Sequence, residues 1–303
     1  RDIMKGESLY TVFSKALSSE KKAIKYFEKM RWDGKVVSPF DATSKVYKCG
    51  NGKYKCKNTG RYFDVKTGTA FAKTKMPMRK WFSVMMLLLT HTRGISSCQV
   101  ASILKIKQRT AWGMMQKVRQ YMSMENNHKL SGEVEIDETF VGGKNKNRHK
   151  DKKVEKCQGR SYKDKTPVFG IRERDGKIIA KVVPNIYGDT LLSIVNEYVE
   201  EGSVVYTDGA GYPGININYE QRDVDHSKHF YGTTYVTDEG EIIVVSTNGI
   251  ENVWSHFKRM IFGIYYHVSR NHMQEYVDEY IFRFNTRNFT DSQRFNLLLR
   301  NAA

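Results

Sequence analysis

Apolar and polar positions along the chain alternate with two different periods. In residues 1–32, Phe13, Leu17, Ala23, Tyr26 and Phe27 recur among lysines at helical spacing, which predicts an N-terminal helical segment. Residues 33–72 change character. "KVYKC", "GKYKC" and "RYFDV" are short β-like runs parted by Gly and Asn turns, so a small β-unit is expected. Helical periodicity returns after Pro77 in "RKWFSVMMLLLTH", and Gly94 ends that run. "ISSCQVASILKIKQRTAWGMMQKVRQYM" then reads as two helices broken near Lys105–Lys107, the first capped by Ser96 or Ser97. Val100, Ala101 and Leu104 face inward in the first; Ala111, Met114, Met115 and Val118 do so in the second. That is helix-turn-helix spacing, within a domain over 73–130. Cys98 is expected as a small core residue of its helix.

Residues 131–303 carry a different order. A strand at 133–141 precedes a polar loop at 142–165. The strands "TPVFGIRE" and "KIIAKVVP" follow, joined by an Asp-Gly turn. Then come the helix "TLLSIVNEYVEE", the strand "SVVYTD", a less regular stretch to about 247, and helices at about 249–262 and 269–287. A three-strand meander, a helix and a further strand make the order of a ribonuclease H-like α/β core with a mixed sheet. The expected fold class is therefore multidomain: a helical and zinc-ribbon-like N-terminal region, then that catalytic-type core.

The β-unit at 33–72 has the layout of a zinc ribbon without its ligands. A ribbon needs two C-x-x-C knuckles. Here they read "SPFD" (38–41) and "CKNT" (56–59), and Cys56 alone of those four ligand positions is a cysteine. No tetrahedral zinc is expected, and packing falls to Tyr47, Tyr54, Tyr62 and Phe63.

Charge sharpens the picture. The 303 residues carry +17, but unevenly: +19 over 1–130, +7 over 142–165 and −9 over the remainder. A basic half joined to an acidic body predicts that the first holds a polyanion while the second needs carboxylates. Double-stranded DNA fits better than a membrane surface. No apolar run reaches the roughly 18 residues of a membrane helix. "RDIMKGESLY" lacks the apolar stretch of a signal peptide, so the cytoplasm is the expected location. The four cysteines are too scattered for a disulfide framework.

Within the acidic body, "GEVEIDETFVGG" loads a strand with carboxylates. Alternation puts Glu133, Glu135 and Asp137 on one face and Val134, Ile136 and Glu138 on the other. "SVVYTDG" ends a later strand at Asp208. If the two strands are neighbours, Asp137 and Asp208 meet, and a divalent cation between them relieves the repulsion. "STNGIENVWSHFKRMIFG" is amphipathic, with Ile250, Val253, Trp254, Phe257 and Ile261 as the buried stripe. Glu251 and Lys258, seven apart, share a face. Asp137, Asp208 and Glu251 would then form a two-metal site, with Lys258 toward DNA. Lys107, Gln108, Arg109 and Thr110 open the second reader helix with types suited to base edges and phosphates, and Lys117 follows on it. The loop residues Lys150, Lys152 and Lys153 belong to an insertion too polar to pack, expected to be flexible and to order on DNA.

"VEIDETFVGGK", "VVYTDG", "DHS" (225–227), "TNGIENVWSHFKR", "YYHVSRNHMQEYVDEYIFRFN" and "GISSCQVASILKIKQRTAWGMMQKVR" together resemble the DDE-type transposases of bacterial insertion sequences, in the group related to the eukaryotic Merlin elements. The resemblance spans about residues 30–290. It implies a ribonuclease H-like core, two Mg²⁺ or Mn²⁺ ions, and cut-and-paste strand transfer at terminal inverted repeats into target DNA. Carried over by position, Asp137 and Asp208 are the first two acids. The third falls in "TNGIEN", as Glu251 or, in an Asn-using variant, Asn248. His226 could orient a phosphate, bind metal or be structural. A homodimer pairing two element ends is expected. Two other classes stay open: a DNA-binding regulator without catalysis, and a ribonuclease H-like nuclease or resolvase.

Overall fold

Ser19 caps a helix by accepting the Lys22 N–H at 3.2 Å, and this helix, α1 among the described residues, runs Glu20–Trp32. The computed structural model describes residues 17–143, 147, 149–155, 161, 163–208, 212, 214–223, 233–236 and 242–303. The chain divides into two compact units, one of residues 1–122 with 288–303, the other Ser123–Arg287. Residues 288–303, read from the sequence as part of the 131–303 span, thus belong with the first unit.

In the first unit, α1 leads to an antiparallel three-stranded sheet in the order β1-β2-β3, with β1 Val46–Lys48, β2 Tyr54–Cys56 and β3 Tyr62–Phe63. These are the three runs expected from the sequence. Their packing differs from the expectation. Tyr54 and Phe63 are buried, but Tyr47 and Tyr62 are 43% and 59% exposed. Short strands show alternate residues to opposite faces, so Trp32 from α1 covers the sheet instead, 5.2 Å from Tyr54. Ser38, Asp41, Cys56 and Thr59 occupy the four knuckle positions. Burial pushes the Cys56 thiol up, and hydrogen bonds from Ser38, Ser44 and Thr59 more than offset it, bringing it to about 6.

Three helices follow: α2 Met78–Thr90, α3 Ser97–Leu104 and α4 Gln108–Met122. Pro77 offers α2 no side-chain cap. The Glu20 carboxylate takes that role, accepting the Met78 and Arg79 N–H groups at 2.7 and 3.1 Å, as suits an anion at a helix N-terminus. Ser96 forms a capping box with Gln99. Between α3 and α4, Lys105 adopts the left-handed conformation, φ 52°. Val100, Ala101, Ala111, Met114, Met115 and Val118 are buried as expected, and Leu104 is half-buried. Cys98, expected in the core, is exposed, because it falls on the outer side of this short helix. The helix Asp291–Asn301, α8 in chain order, closes this unit. Its Phe295 lies 5.4 Å from Phe82, and Asn296 accepts the Tyr26 hydroxyl at 2.7 Å.

The second unit is built on a five-stranded mixed sheet in the order β6-β5-β4-β7-β8. Its strands are β4 Glu133–Val141, β5 Thr166–Glu173, β6 Ile178–Val182, β7 Val204–Thr207 and β8 Glu220–Asp223. β4, β5 and β6 form the antiparallel meander, while β7 and β8 run parallel to β4. Between β6 and β7 lies α5, Gly188–Tyr198. β9 Thr233–Val236 and β10 Ile242–Val245 pair as a separate hairpin. α6 Asn248–Met260 and α7 Met273–Asn285 complete the unit. Val134, Ile136, Phe169 and Ile171 bury one face of the sheet against α5 residues such as Leu191 and Val195. Val141, Val168 and Ala180 bury the other against Ile250, Val253, Trp254 and Phe257 of α6. Among the described residues no helix is long and apolar enough to cross a membrane.

Candidate active site

Parallel pairing of β4 with β7 sets the site. Glu135 is level with Tyr206; continuing that register by two residues brings Asp137 level with Asp208, which follows the last residue of β7. In-register residues of neighbouring strands share a face, so both aspartates stand on the side covered by α6.

Two features bring α6 onto that row. Gly170 of β5 lies opposite Asp137, and the Trp254 ring rests on it. A Cβ at position 170 would sit 2.4 Å from that ring, so the helix needs this glycine to approach. The second feature is Glu135, buried at 3% exposure. Thr247 makes no side-chain cap for α6; instead Glu135 Oε2 accepts the Ile250 N–H at 2.7 Å. Arg172 and Arg174 pair with the same carboxylate at 3.2 and 3.5 Å. Gly249 leaves room for this arrangement, since a Cβ there would strike Arg172 and Glu135. Glu251, one residue past Ile250, thereby comes to the acid row. Its Oε1 accepts the Thr247 hydroxyl at 3.1 Å.

The carboxylates feel one another. Burial, then Glu138, Asp208 and Glu251, push Asp137 up to about 8, against a backbone N–H from Glu138 that favours its ionised form. Glu138 itself accepts the Tyr212 hydroxyl at 2.5 Å. Burial and that carboxylate hold the tyrosine well above its usual range. Lys258 is near enough to Asp137 to feel its charge. Its burial lowers the ammonium pKa, Asp137 raises it, and Lys165 lowers it further. Among the described residues, no three His, Cys, Asp or Glu side chains converge as a ready metal cluster. Asp137, Asp208 and Glu251 are near enough to interact without being gathered on one point. Their oxygens suit a hard divalent cation, and the raised Asp137 marks a carboxylate short of positive charge.

The other expected residues lie elsewhere. Asn248 is exposed at the first position of α6. Lys107, Gln108 and Arg109 are exposed at the start of α4, with Thr110 half-buried. Gln108 donates to the Ser97 hydroxyl at 2.7 Å. Lys117 donates to the Ala70 carbonyl at 3.4 Å, which ties it to its own unit. Lys150 and Lys153 are exposed, and Lys152 ends a short 3₁₀ turn, Lys150–Lys152. His226, and the expectation of a flexible insertion over much of 142–165, lie outside the described residues.

The ISXO2-like transposase domain matches residues 129–285, the span that holds the sheet and all three acids. The chain belongs to the ISXO2-like transposase family. It is also 27% identical over 208 residues to an uncharacterized protein in transposable element ISH50 of Halobacterium salinarum, covering 64% of this chain and 69% of that one. An uncharacterized transposase-like protein of Haemophilus influenzae is 33% identical over 112 residues, 36% of this chain and 81% of that one.

In this transposase-family chain, the sequence offered Asp137, Asp208 and Glu251 as candidates but did not show what positions them. Glu135 looked like one more carboxylate on a charged strand. Its partner is 115 residues away. A faint clue was available: an internal Glu two residues before Asp137, on the face that the α6 stripe must cover.

Proposed function

We propose that this chain is a DNA transposase that cuts the ends of its own element and joins them to target DNA. The observation that carries this reading is the register that levels Asp208 with Asp137 beneath a helix bearing Glu251. A family match over the same residues supports it. We read the mixed sheet as a ribonuclease H-like core, and Asp137, Asp208 and Glu251 as the holders of two Mg²⁺ or Mn²⁺ ions. Such ions, when bound, activate the attacking oxygen and stabilise the leaving one in phosphodiester transfer. Lys258, beside Asp137, would hold a phosphate of the DNA end. The start of α4 (Lys107, Gln108, Arg109, Thr110) would read the terminal inverted repeats, and Lys150, Lys152 and Lys153 would add backbone contacts. The three-stranded unit works without zinc in this reading, and two copies pair the two ends.

The test is incubation of the protein with element ends, Mg²⁺ and a target plasmid, scoring cleavage and strand transfer. Asp137→Asn, Asp208→Asn and Glu251→Gln should each keep DNA binding while cleavage falls by orders of magnitude. Lys258→Ala should be milder. Normal cleavage in Glu251→Gln with none in Asn248→Ala would move the third ligand to Asn248. Cleavage retained in both aspartate variants would sink the catalytic reading in favour of a DNA-binding regulator.

A further inference from the structure

A trough of about 900 Å³ runs between α1 and β1 in the first unit. Lys25 and Lys29 of α1 line one wall. Lys35 lines the turn, and Lys45 and Lys48 line the β1 side. All five are exposed, and among the described residues none of them pairs with a carboxylate. The acids at the trough are Glu28 and Asp33, and Glu28 is engaged by the Tyr54 hydroxyl at 3.1 Å. The remaining charge is a net +3 facing a concave surface. Like charges around a concavity repel and focus a positive potential into it.

The backbone makes this arrangement. Asp33 and Gly34 take φ 44° and 91°, which stops α1 and turns the chain back so that Lys35 faces the same opening as Lys29. Lys25 and Lys29, four apart, stack on one helix face. The aromatic rings at the trough, Trp32 and Tyr54, pack edge to face at 5.2 Å and are 9% and 5% exposed. Their faces are not free to stack on bases. What the trough offers a ligand is charge on flexible stems, which suits phosphates and not base edges.

We propose that this trough holds the sugar–phosphate backbone of duplex DNA, as a sequence-independent site separate from the start of α4. The proposal rests on the transposase reading for the identity of the polyanion. Its chemistry requires that each lysine engaged release counterions.

The experiment uses the full chain and a labelled duplex of arbitrary sequence, with affinity measured by fluorescence anisotropy across a salt series. The triple variant K29A/K35A/K45A is compared with K21A/K22A/K57A, which removes three exposed lysines outside the trough. If all three trough lysines meet phosphates, the slope of log affinity against log salt should fall by about 2.7, while the control triple changes it by less than one. A drop exceeding the control's by one or more supports the site. A smaller difference, with wild-type binding intact, overturns the trough alone. Failure of the wild-type chain to bind any duplex overturns the trough and the transposase reading together.

Discussion

Glu135 and Ile250 are joined by a 2.7 Å hydrogen bond from the helix backbone to a buried carboxylate. This bond anchors the first turn of α6 to the strand that carries Asp137. Replacing Glu135 by Ala leaves Arg172 and the helix N–H without that partner, and breaking a buried charged pair costs about 3–5 kcal/mol. Glu135→Ala should therefore lose stability on that scale in urea melts and lose DNA-end cleavage. Glu135→Gln keeps an oxygen for Ile250 and should recover part of both. Wild-type cleavage in the alanine variant would show that Glu251 does not depend on this anchor.

Gly170→Ala probes the same helix from below. The new methyl would meet a rigid Trp254 ring, not a flexible tip. Overpacking of this kind costs about 1–3 kcal/mol. Cleavage should fall further than stability, because the ring carries Glu251's helix with it. Urea melts and a cleavage assay read the two effects; unchanged values in both refute the close approach.

Asp278 gives a pH signature. It is buried at 6% exposure, and that burial raises it to about 6, although Gln274 and Asn126 donate to it. A raised acid favours its protonated form in the folded state. Its stabilising contribution is thus complete below about pH 4 and lost as pH rises through about 6. Asp278→Asn should match wild type near pH 4 and exceed it at pH 7 by on the order of 3 kcal/mol. Thermal melts over that range check the crossover, and a variant less stable at pH 7 would contradict it.

Lys105 sits left-handed at the end of α3, where a side chain costs about 1 kcal/mol and glycine little. Lys105→Gly should raise the melting temperature of the first unit by a few degrees. Gly94→Ala, at φ 92°, should lower it. Opposite signs would mean that this turn is set by contacts and not by backbone preference.

The meander, α5 and β7 were legible because both faces of that sheet are covered. Their apolar runs are long and bounded by turns, as in Thr166–Glu173 and Ile178–Val182. The acid pair followed from alternation and the position of Asp208 at a strand end. β8 was not legible. "EQRD" at an edge has no apolar period, and its Thr207–Asp223 and Arg222–Glu220 contacts are polar. Tyr47, Tyr62 and Cys98 misled for the opposite reason. Their residue types favour interiors, but elements of two to eight residues have an outer side that composition cannot mark. Glu135 shows a third limit. Its role lies in a hydrogen bond to backbone, which leaves no pattern in side chains.

The helix α8 makes the first unit discontinuous along the chain. Phe295 meets Phe82, and the Ala70 N–H donates to the Ala302 carbonyl at 3.0 Å, so a segment beyond residue 287 closes a core whose other helices end at Met122. The second unit is thus an insertion between two parts of the first. The entropy of closing so long a loop grows only slowly with its length, which is why a core can recruit a helix from so far along the sequence. A chain cut at residue 287 would keep the second unit continuous and leave the first without its closing helix.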